Sequence, residues 1–220
     1  LISLSKGAVE NHEVKMVLVG NSSVGKTTLV KYLRAGIFEE KEDTTHGIQV
    51  SKWKPTDEHG NDTGLTVYAW DFGGQEYYHA THRLFLSNNA VYCLLWNQAT
   101  NVQGLADTII YKNGNPEKHA LDHYRYDYWL ENIRLYAPTS PILLVQSKDQ
   151  DTDPVGNEVF EQYKIEPKKN YSVCIKSVAA GEGEKTDEFN IFRRQLLNRL
   201  KEAATAFSLG KFWVEIRDEI

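Results

Sequence analysis

Short, unbroken hydrophobic runs recur along the chain and alternate with segments whose hydrophobic residues have helical spacing. The runs are residues 14–19, Ala90–Trp96, 141–146 and the shorter 171–175. A continuous run of this length is typical of a strand that is covered on both faces. Helical spacing begins at Gly25 and ends near Ala35, just before Gly36. Further helices are predicted over residues 75–87, 121–136, 155–164 and 185–206.

Two more strands are predicted over residues 49–54 and 65–71, because a polar turn rich in glycine, asparagine and aspartate separates them. Such a turn joins the two strands as an antiparallel hairpin. The whole pattern predicts an α/β fold: a six-stranded, mostly parallel sheet with one antiparallel hairpin strand and helices on both faces. Ligands of such sheets bind beyond the carboxyl ends of the strands, and Gly20 lies at one such end.

Residues 97–120 do not fit this alternation. The segment is polar and contains Gly104, Gly114 and Pro116. We therefore expect an inserted loop, and a loop of this length suggests a functional or contact role.

The residues that follow the first strand, GNSSVGKT from Gly20 to Thr27, match the phosphate-loop pattern G-x-x-x-x-G-K-[ST]. Glycines allow backbone N–H groups to curve around phosphate oxygens, and the next helix adds partial positive charge at its N-terminus. Lys26 is expected to reach the outer phosphates, and the Thr27 hydroxyl to occupy a Mg²⁺ position. The loop alone fits GTPases, ATPases and small-molecule kinases. Its candidate nucleotide contacts are Asn21, Ser22, Ser23, Val24, Gly25, Lys26, Thr27 and Thr28.

The sequence DFGGQE, which begins at Asp71, follows the third strand and resembles the D-x-x-G-Q-E pattern of Ras-type GTPases. In that arrangement Asp71 holds the metal through water, the Gly74 N–H senses the γ-phosphate and Gln75 orients the attacking water. Ras-like proteins also place a threonine before the second strand that binds Mg²⁺ and γ-phosphate. Aligning the sequence THGI on the pattern T-x-G-[IV] selects Thr45 over Thr44. The catalytic candidates are Gln75, Lys26 and Thr45, and the metal candidates are Thr27, Thr45 and Asp71.

The base-recognition motif of Ras-like proteins, N-K-x-D, is replaced here by QSKD, residues 146–149. The Asp149 carboxylate can accept from the N1–H and exocyclic amine of guanine, which distinguish guanine from adenine. Gln146 substitutes imperfectly for asparagine, and Ser147 cannot lay an aliphatic stem over the base. We therefore expect guanine selectivity with micromolar affinity. The base-contact candidates are Gln146, Lys148 and Asp149, together with Ser177, Val178 and Ala179, which occupy the place of the family's S-A-K loop.

These residues resemble a Roc domain, the Ras-like GTPase module of Roco proteins. The sequence WDFGGQEYYHATH, residues 70–82, is similar to the W-D-F-G-G-Q-E-x-x-H-A-T-H signature of bacterial and archaeal members. The resemblance covers about residues 12–206 and implies a Ras-like P-loop fold, binding of GTP or GDP with Mg²⁺, slow hydrolysis of GTP, fast nucleotide exchange, and dimerisation coupled to the nucleotide state.

The resemblance also divides the chain into segments. Residues 1–12 are predicted to be a linker, and residues 13–206 the Roc domain. Residues 207–220 resemble the start of the COR dimerisation domain that normally follows Roc, or else form a C-terminal linker. Homodimerisation through Roc and COR is therefore expected.

The composition and charge of the chain argue against two classes of function, nucleic-acid binding and a role as a membrane-spanning protein. Of the 220 residues, 41% are hydrophobic and 25% charged, and the net charge is −5. The chain lacks the basic stripe that nucleic-acid binding requires and the long apolar run of a membrane span, so we expect neither of these roles. No signal-peptide pattern is present, and a cytoplasmic location is expected. Cys93 and Cys174 lie in hydrophobic runs, where buried reduced thiols are the simplest interpretation.

Several alternatives remain open at this stage. His79 with His82, or His119 with His123, has the spacing of half a zinc site, although neither pair has an evident third ligand. Arg83 could reach the phosphates as an arginine finger or could be a surface charge. The chain could also be a nucleotide-loaded dimerisation or scaffold module with incidental turnover, or an ATP-using P-loop protein.

Overall fold

The computed structural model describes residues 8–9, 12–45, 47–73, 85–148, 155–206 and 209–210. The predictions for Gly74, Gln75 and Asp149 therefore lie outside the described residues, as do those for His79, His82 and Arg83 and most of the helix predicted over residues 75–87.

Within the described residues, the central sheet has six strands: β2 Glu13–Val19, β3 Ile48–Trp53, β4 Thr66–Phe72, β5 Ala90–Trp96, β8 Ile142–Ser147 and β9 Asn170–Val173. Their order across the sheet is β3-β4-β2-β5-β8-β9. β3 pairs antiparallel with β4, and the other neighbouring strands pair in parallel. The predicted α/β class, with six mostly parallel strands and one antiparallel hairpin strand, is confirmed.

The described helices lie on both faces of this sheet. They are α1 Lys26–Ala35, α2 Tyr126–Tyr136, α3 Asn157–Gln162, α4 Ile175–Ala179 and α5 Gly183–Ala206. Strand β2 shows why its sequence is continuously hydrophobic: Met16 and Leu18 belong to the core beneath α1 and α5, whereas Val17 and Val19 belong to the core beneath α2 and α3. Alternate side chains of one strand thus enter two separate cores.

The prediction of an inserted loop over residues 97–120 is wrong. After a short 3₁₀ turn at Gln98–Thr100, the chain forms strands β6 Gly104–Lys112 and β7 Asn115–His123, which pair antiparallel over their full lengths. The two residues between them, Asn113 and Gly114, have φ values of 52° and 73°. A two-residue hairpin turn with positive φ at both positions prefers Asn-Gly, which is the strongest short hairpin signal that a sequence can carry. This sequence carries it at these two positions. We refer to β6 and β7 as the inserted hairpin.

Two further boundaries differ from the predictions. Residues 121–123 belong to β7, so α2 begins at Tyr126 rather than at residue 121. The strand predicted over residues 171–175 ends at Val173, and Ser177, Val178 and Ala179 lie in helix α4 rather than in a loop.

Outside the central sheet, β1 Ala8–Val9 pairs antiparallel with β10 Leu209–Gly210. Two segments that the sequence assigns to a leading linker and to the start of a following region are thus adjacent in space. Both cysteines are free and buried, as expected. Among the described helices, none combines the length and hydrophobicity that crossing a membrane requires.

Candidate functional site

The phosphate-loop sequence forms a tight turn between the carboxyl end of β2 and the start of α1. Gly20 has a φ of 133°, and a Cβ atom there would lie 2.1 Å from the carbonyl oxygen of Leu95. Gly25, with a φ of 95°, caps the N-terminus of α1 in the left-handed region. Glycine is therefore required at both ends of the loop, and the free N–H groups of the first turn of α1 face an anion-binding position.

Lys26 is the buried cation of the loop, with only 6% of its surface exposed. Its Nζ donates to the carbonyl oxygens of Gly20 at 2.9 Å and Asn21 at 2.7 Å. Burial lowers the pKa of Lys26 to about 8, and the nearby Asp71 carboxylate opposes that shift. The ammonium group therefore lies in a poorly hydrated position, where an incoming anion would interact with it strongly.

Three oxygen-bearing side chains from separate segments meet beside Lys26. The Thr27 hydroxyl lies 2.7 Å from the Thr45 hydroxyl and donates to Asp71 Oδ2 at 2.5 Å. Thr45 donates to the same carboxylate oxygen at 3.2 Å. Helix α1, the segment before β3 and the end of β4 are thus joined at one point, and the three predicted metal candidates are brought together.

The chemistry of this cluster fits Mg²⁺. Asp71 Oδ1 is buried and has no hydrogen-bond partner among the described residues. Burial raises the pKa of Asp71, while Lys26 and the two threonine hydroxyls lower it. A hard divalent cation prefers hydroxyl and carboxylate oxygens, and it would compensate the buried carboxylate.

A cavity of about 640 Å³ opens beside these groups. Its loop end is formed by residues 22–28, and its far end by residues 147–148 and 173–177. The predicted site residues that line it are Ser22, Ser23, Val24, Gly25, Lys26, Thr27, Thr28, Thr45, Lys148 and Ser177. The volume is within the range of pockets for small ligands.

Asn21 is the one member of the predicted phosphate loop, among its described residues 21–28, that does not line the cavity. Its amide nitrogen donates to the carbonyl oxygens of Thr100 at 2.6 Å and Tyr124 at 2.7 Å, and its amide oxygen accepts from the Tyr124 N–H at 3.1 Å. The indole of Trp129 also donates to that oxygen at 3.4 Å. The Asn21 side chain therefore anchors both ends of the inserted hairpin to the loop.

At the far end, the structure separates the predicted base-contact residues. Gln146 is buried outside the cavity lining, and its amide oxygen accepts from Asn170 Nδ2 at 2.9 Å. Ser177 lines the cavity, Val178 lies in the core beneath α5, and Ala179 is exposed on α4.

The far end also contains residues outside the predicted set of base contacts. Ser147 lines the cavity beside Lys148, and its hydroxyl donates to the Trp96 carbonyl oxygen at 3.4 Å. Lys176 of α4 forms an ion pair with Glu40 at 2.5 Å, and both residues line the cavity. The segment before β3 is therefore linked to the far end across the cavity. No motif marks this pair, because its members are 136 positions apart.

Ile109 and Tyr111 of the inserted hairpin line the cavity as well. The two histidines of β7 have separate partners: His119 pairs with Glu117 at 3.1 Å, and His123 contacts the Thr108 hydroxyl at 2.9 Å. Among the described residues, no group of three His, Cys, Asp or Glu side chains is placed to hold a metal ion.

Comparisons with known proteins agree with this geometry. A family model described as "Ras of Complex, Roc, domain of DAPkinase" matches residues 15–150. The chain is 28% identical over 200 residues to the probable serine/threonine-protein kinase pats1 of Dictyostelium discoideum. This match covers 82% of this chain and 6% of that protein. It is 31% identical over 174 residues to a Roc-COR-CHAT protease of Runella zeae, covering 72% of this chain and 17% of that protein.

A solved structure of Methanosarcina barkeri Roco2 RocCORdC bound to GDP is similar in fold. The TM-score is 0.71 at 25% identity, and the match covers 97% of this chain and 57% of that one. The chain thus spans only part of each of these relatives.

Proposed function

Because the chain belongs to the Roc family, the Ras-like domains of Roco proteins, we propose that it is a slow, Mg²⁺-dependent GTPase that acts as a molecular switch. It binds GTP, hydrolyses it to GDP and phosphate, and couples the nucleotide state to conformation and homodimerisation of a multidomain protein. The cytoplasm is the expected compartment, and an adjoining COR domain is the expected dimerisation partner.

The observation that carries this proposal is the meeting of Thr27, Thr45 and Asp71 beside the buried Lys26. A phosphate loop alone serves many nucleotide enzymes. A threonine from the segment before β3, joined to the loop threonine and to the aspartate at the end of β4, is the arrangement expected of a switch that senses a terminal phosphate.

Each residue of the cluster has a role in this proposal. Lys26 and the loop N–H groups stabilise negative charge on the outer phosphates. Thr27 and Thr45 would hold Mg²⁺, with Asp71 acting on it through water, and the bound ion would supply positive charge near the outer phosphates. Gln75, outside the described residues, orients the attacking water. Loss of the γ-phosphate then frees residues 40–48 and 73–87, which changes the shape of the domain.

Guanine selectivity is assigned to Asp149, outside the described residues. Because Gln146 is bonded to Asn170 rather than placed along the cavity, we expect it to contribute little to base recognition. The proposal is therefore selective but weak guanine binding, with micromolar affinity.

The first test is a titration with fluorescent GDP in which unlabelled GDP, GTP, ATP and xanthosine diphosphate compete. Competition by GDP and GTP at micromolar concentration, with none by ATP, supports the proposal. Equal competition by ATP contradicts it and leaves a generic phosphate-loop protein. Weaker competition by xanthosine diphosphate than by GDP would support a carboxylate that reads the guanine amine.

A second candidate function is a nucleotide-loaded dimerisation or scaffold module with incidental turnover. The position of Gln146 outside the cavity favours it, because weak base contacts suit a module that does not cycle efficiently. Gln75→Leu separates the two functions. The switch requires that this change abolish hydrolysis and alter output in cells, whereas full output with no hydrolysis supports the scaffold.

A further inference from the structure

The inserted hairpin is attached to the phosphate loop at two places. Asn21 anchors the residues just before and just after it, through the carbonyl oxygens of Thr100 and Tyr124. Farther along β6, the Ser23 hydroxyl donates to the carbonyl oxygen of Ile109 at 2.8 Å. The hairpin therefore extends over the loop end of the cavity instead of projecting freely into solvent.

The same hairpin is attached to the segment that carries Thr45. The Thr44 N–H donates to the Tyr111 carbonyl oxygen at 2.9 Å, and the Tyr111 N–H donates back to the Thr44 hydroxyl at 3.3 Å. Beside them, the Gly114 N–H at the hairpin turn donates to Asp43 Oδ1 at 2.9 Å. Thr44 and Tyr111 thus share two hydrogen bonds, one between their backbones and one from the Tyr111 N–H to the Thr44 side chain.

This attachment is important because residues 36–45 form neither a helix nor a strand. The segment also forms ion pairs, of Glu39 and Glu42 with Lys31 and of Glu40 with Lys176. Each pair has at least one side chain that is more than a third exposed, so each fixes the backbone weakly. On the far side of Thr45, the Gly73 N–H donates to the Gly47 carbonyl oxygen at 2.8 Å. The residue before Thr45 is thus held by the hairpin, and Gly47 is held by Gly73, which directly follows β4.

We infer that the inserted hairpin is a built-in positioning element that holds Thr45 at the metal position, so that binding of Mg²⁺ and the terminal phosphate does not have to order this segment. Asp43 and Thr44 are the positioning residues through which it acts. Ordering a loop on binding reduces affinity, and a contact made beforehand within the fold removes that penalty. The inference rests on the proposed function and extends it to a segment that the sequence indicated only as a loop.

The sharpest test uses the 220-residue chain and two pairs of point variants. Asp43→Ala removes the acceptor of the Gly114 N–H, whereas Asp43→Asn retains an acceptor oxygen. Thr44→Val removes the hydroxyl that accepts from Tyr111, whereas Thr44→Ser retains it. The readout is the Mg²⁺ concentration that half-maximally slows the release of a fluorescent, non-hydrolysable GTP analogue.

We expect Asp43→Ala and Thr44→Val each to raise this Mg²⁺ concentration by about fivefold, as loss of one hydrogen bond predicts. Asp43→Asn and Thr44→Ser should remain within about twofold of the parent chain, by the same argument. The rate of GDP release in the presence of EDTA should be unchanged in all four variants. EDTA removes Mg²⁺, and the hairpin is proposed to act only by positioning Thr45 for Mg²⁺ and the terminal phosphate. A purely structural defect would instead weaken every nucleotide complex, including GDP without metal.

A shortened hairpin tests the element as a whole. Residues 109–118 are replaced by Asn-Gly, which joins the register partners Thr108 and His119 and leaves the Asn21 anchor intact. We expect a larger shift, by about tenfold or more, as several contacts are lost together. The amide of Thr44 should also lose protection from hydrogen exchange in the nucleotide-free chain. Leu105→Gln, at a hairpin residue that is 73% exposed, is the matched control and should leave both readouts unchanged.

The outcomes separate this inference from the proposed function. If the parent chain binds guanine nucleotides with Mg²⁺ but the alanine and valine variants behave like it, the inference is wrong and the proposed function stands. If the parent shows no Mg²⁺-dependent retention, both are wrong. If the shortened chain does not fold, the point variants of Asp43 and Thr44 still test whether the hairpin positions Thr45. Unchanged protection of the Thr44 amide in a folded shortened chain would also overturn the inference.

Discussion

At the loop end of the cavity the predicted residues contact one another, whereas at the far end several of them contact something else. Thr27, Thr45 and Asp71 form one hydrogen-bonded group, and the buried Lys26 lies close enough for the Asp71 carboxylate to raise its pKa. At the far end Gln146 bonds to Asn170, and neither Val178 nor Ala179 lines the cavity. In the part of the chain that the structure describes, the first region thus joins its predicted side chains by hydrogen bonds, whereas the second leaves several of them away from the cavity.

The contrast follows from what each end must recognise. Phosphate and Mg²⁺ carry concentrated charge, so the groups that bind them must be buried and held in fixed positions. A base is a flat, mostly apolar surface, and several combinations of side chains can cover it. We therefore expect substitutions at the loop end to have large effects on nucleotide binding and substitutions at the described far-end residues to have small ones.

Lys26→Met should have the largest effect. It preserves the buried aliphatic stem and removes the ammonium group, so it deletes charged hydrogen bonds worth about 1.5–3 kcal/mol each to the phosphates. We expect affinity for GDP and GTP to fall by at least about 100-fold, since 1.4 kcal/mol is a factor of ten. The measurement is a fluorescent-GDP titration.

Stability provides the control for this variant. Burial lowers the pKa of Lys26, but its ammonium group also donates to the carbonyl oxygens of Gly20 and Asn21 and lies near the buried Asp71 carboxylate. These effects on stability oppose each other, so the thermal unfolding midpoint of Lys26→Met without nucleotide should stay within about 4 °C of the parent chain. Lys52→Met, on the exposed face of β3, is the matched variant and should bind GDP normally. A much larger fall in the midpoint of Lys26→Met would mean that weakened binding reflects damage to the fold.

The loop end could be predicted from the sequence, because its residues lie in short motifs whose spacing follows directly from strand–turn–helix geometry. The mostly parallel sheet and the two cores also agree with the hydrophobic pattern. The inserted hairpin was missed because a polar segment with glycines suggested a loop, although Asn113-Gly114 carries a specific turn signal. The Glu40–Lys176 pair could not be predicted, because only tertiary folding brings these residues together.

Thr27→Val sharpens the comparison between the two ends, because it separates the contribution of metal binding at the loop end from that of phosphate binding. Valine has the shape of threonine without the hydroxyl, so the loop should keep its backbone geometry and lose one oxygen of the cluster. We expect the ratio of GDP release rates without and with Mg²⁺ to fall by about tenfold, as loss of a metal ligand or charged hydrogen bond predicts. Thr27→Ser retains the hydroxyl and should restore the ratio. Full Mg²⁺ dependence in Thr27→Val would mean that the cluster does not hold the ion.

Ser147→Lys would reduce the contrast between the two ends by adding a lysine stem that can cover the base at the far end. Ser147 lines the cavity, and a lysine there could lay its methylene stem over the base, as in the N-K-x-D pattern. Burying part of that stem is worth about 1 kcal/mol, which predicts about a fivefold gain in GDP affinity. Ser147→Ala is the control, since it removes the hydroxyl bond to Trp96 without adding a stem. If lysine and alanine have the same effect, the base does not lie over this position.

Reversing the ion pair between Glu40 and Lys176 should have the smallest effect. Both side chains are exposed, at 65% and 68%, so the pair is well hydrated and its contribution is small. Lys176→Glu places like charges across the cavity, and we expect GDP to be released about twofold faster at low salt. Adding Glu40→Lys restores opposite charges and should restore the parent rate. High salt should abolish both differences because it screens exposed charges. A difference of the same size in high salt would mean that Lys176 contacts the nucleotide directly, and the far end would then contain a fixed polar group.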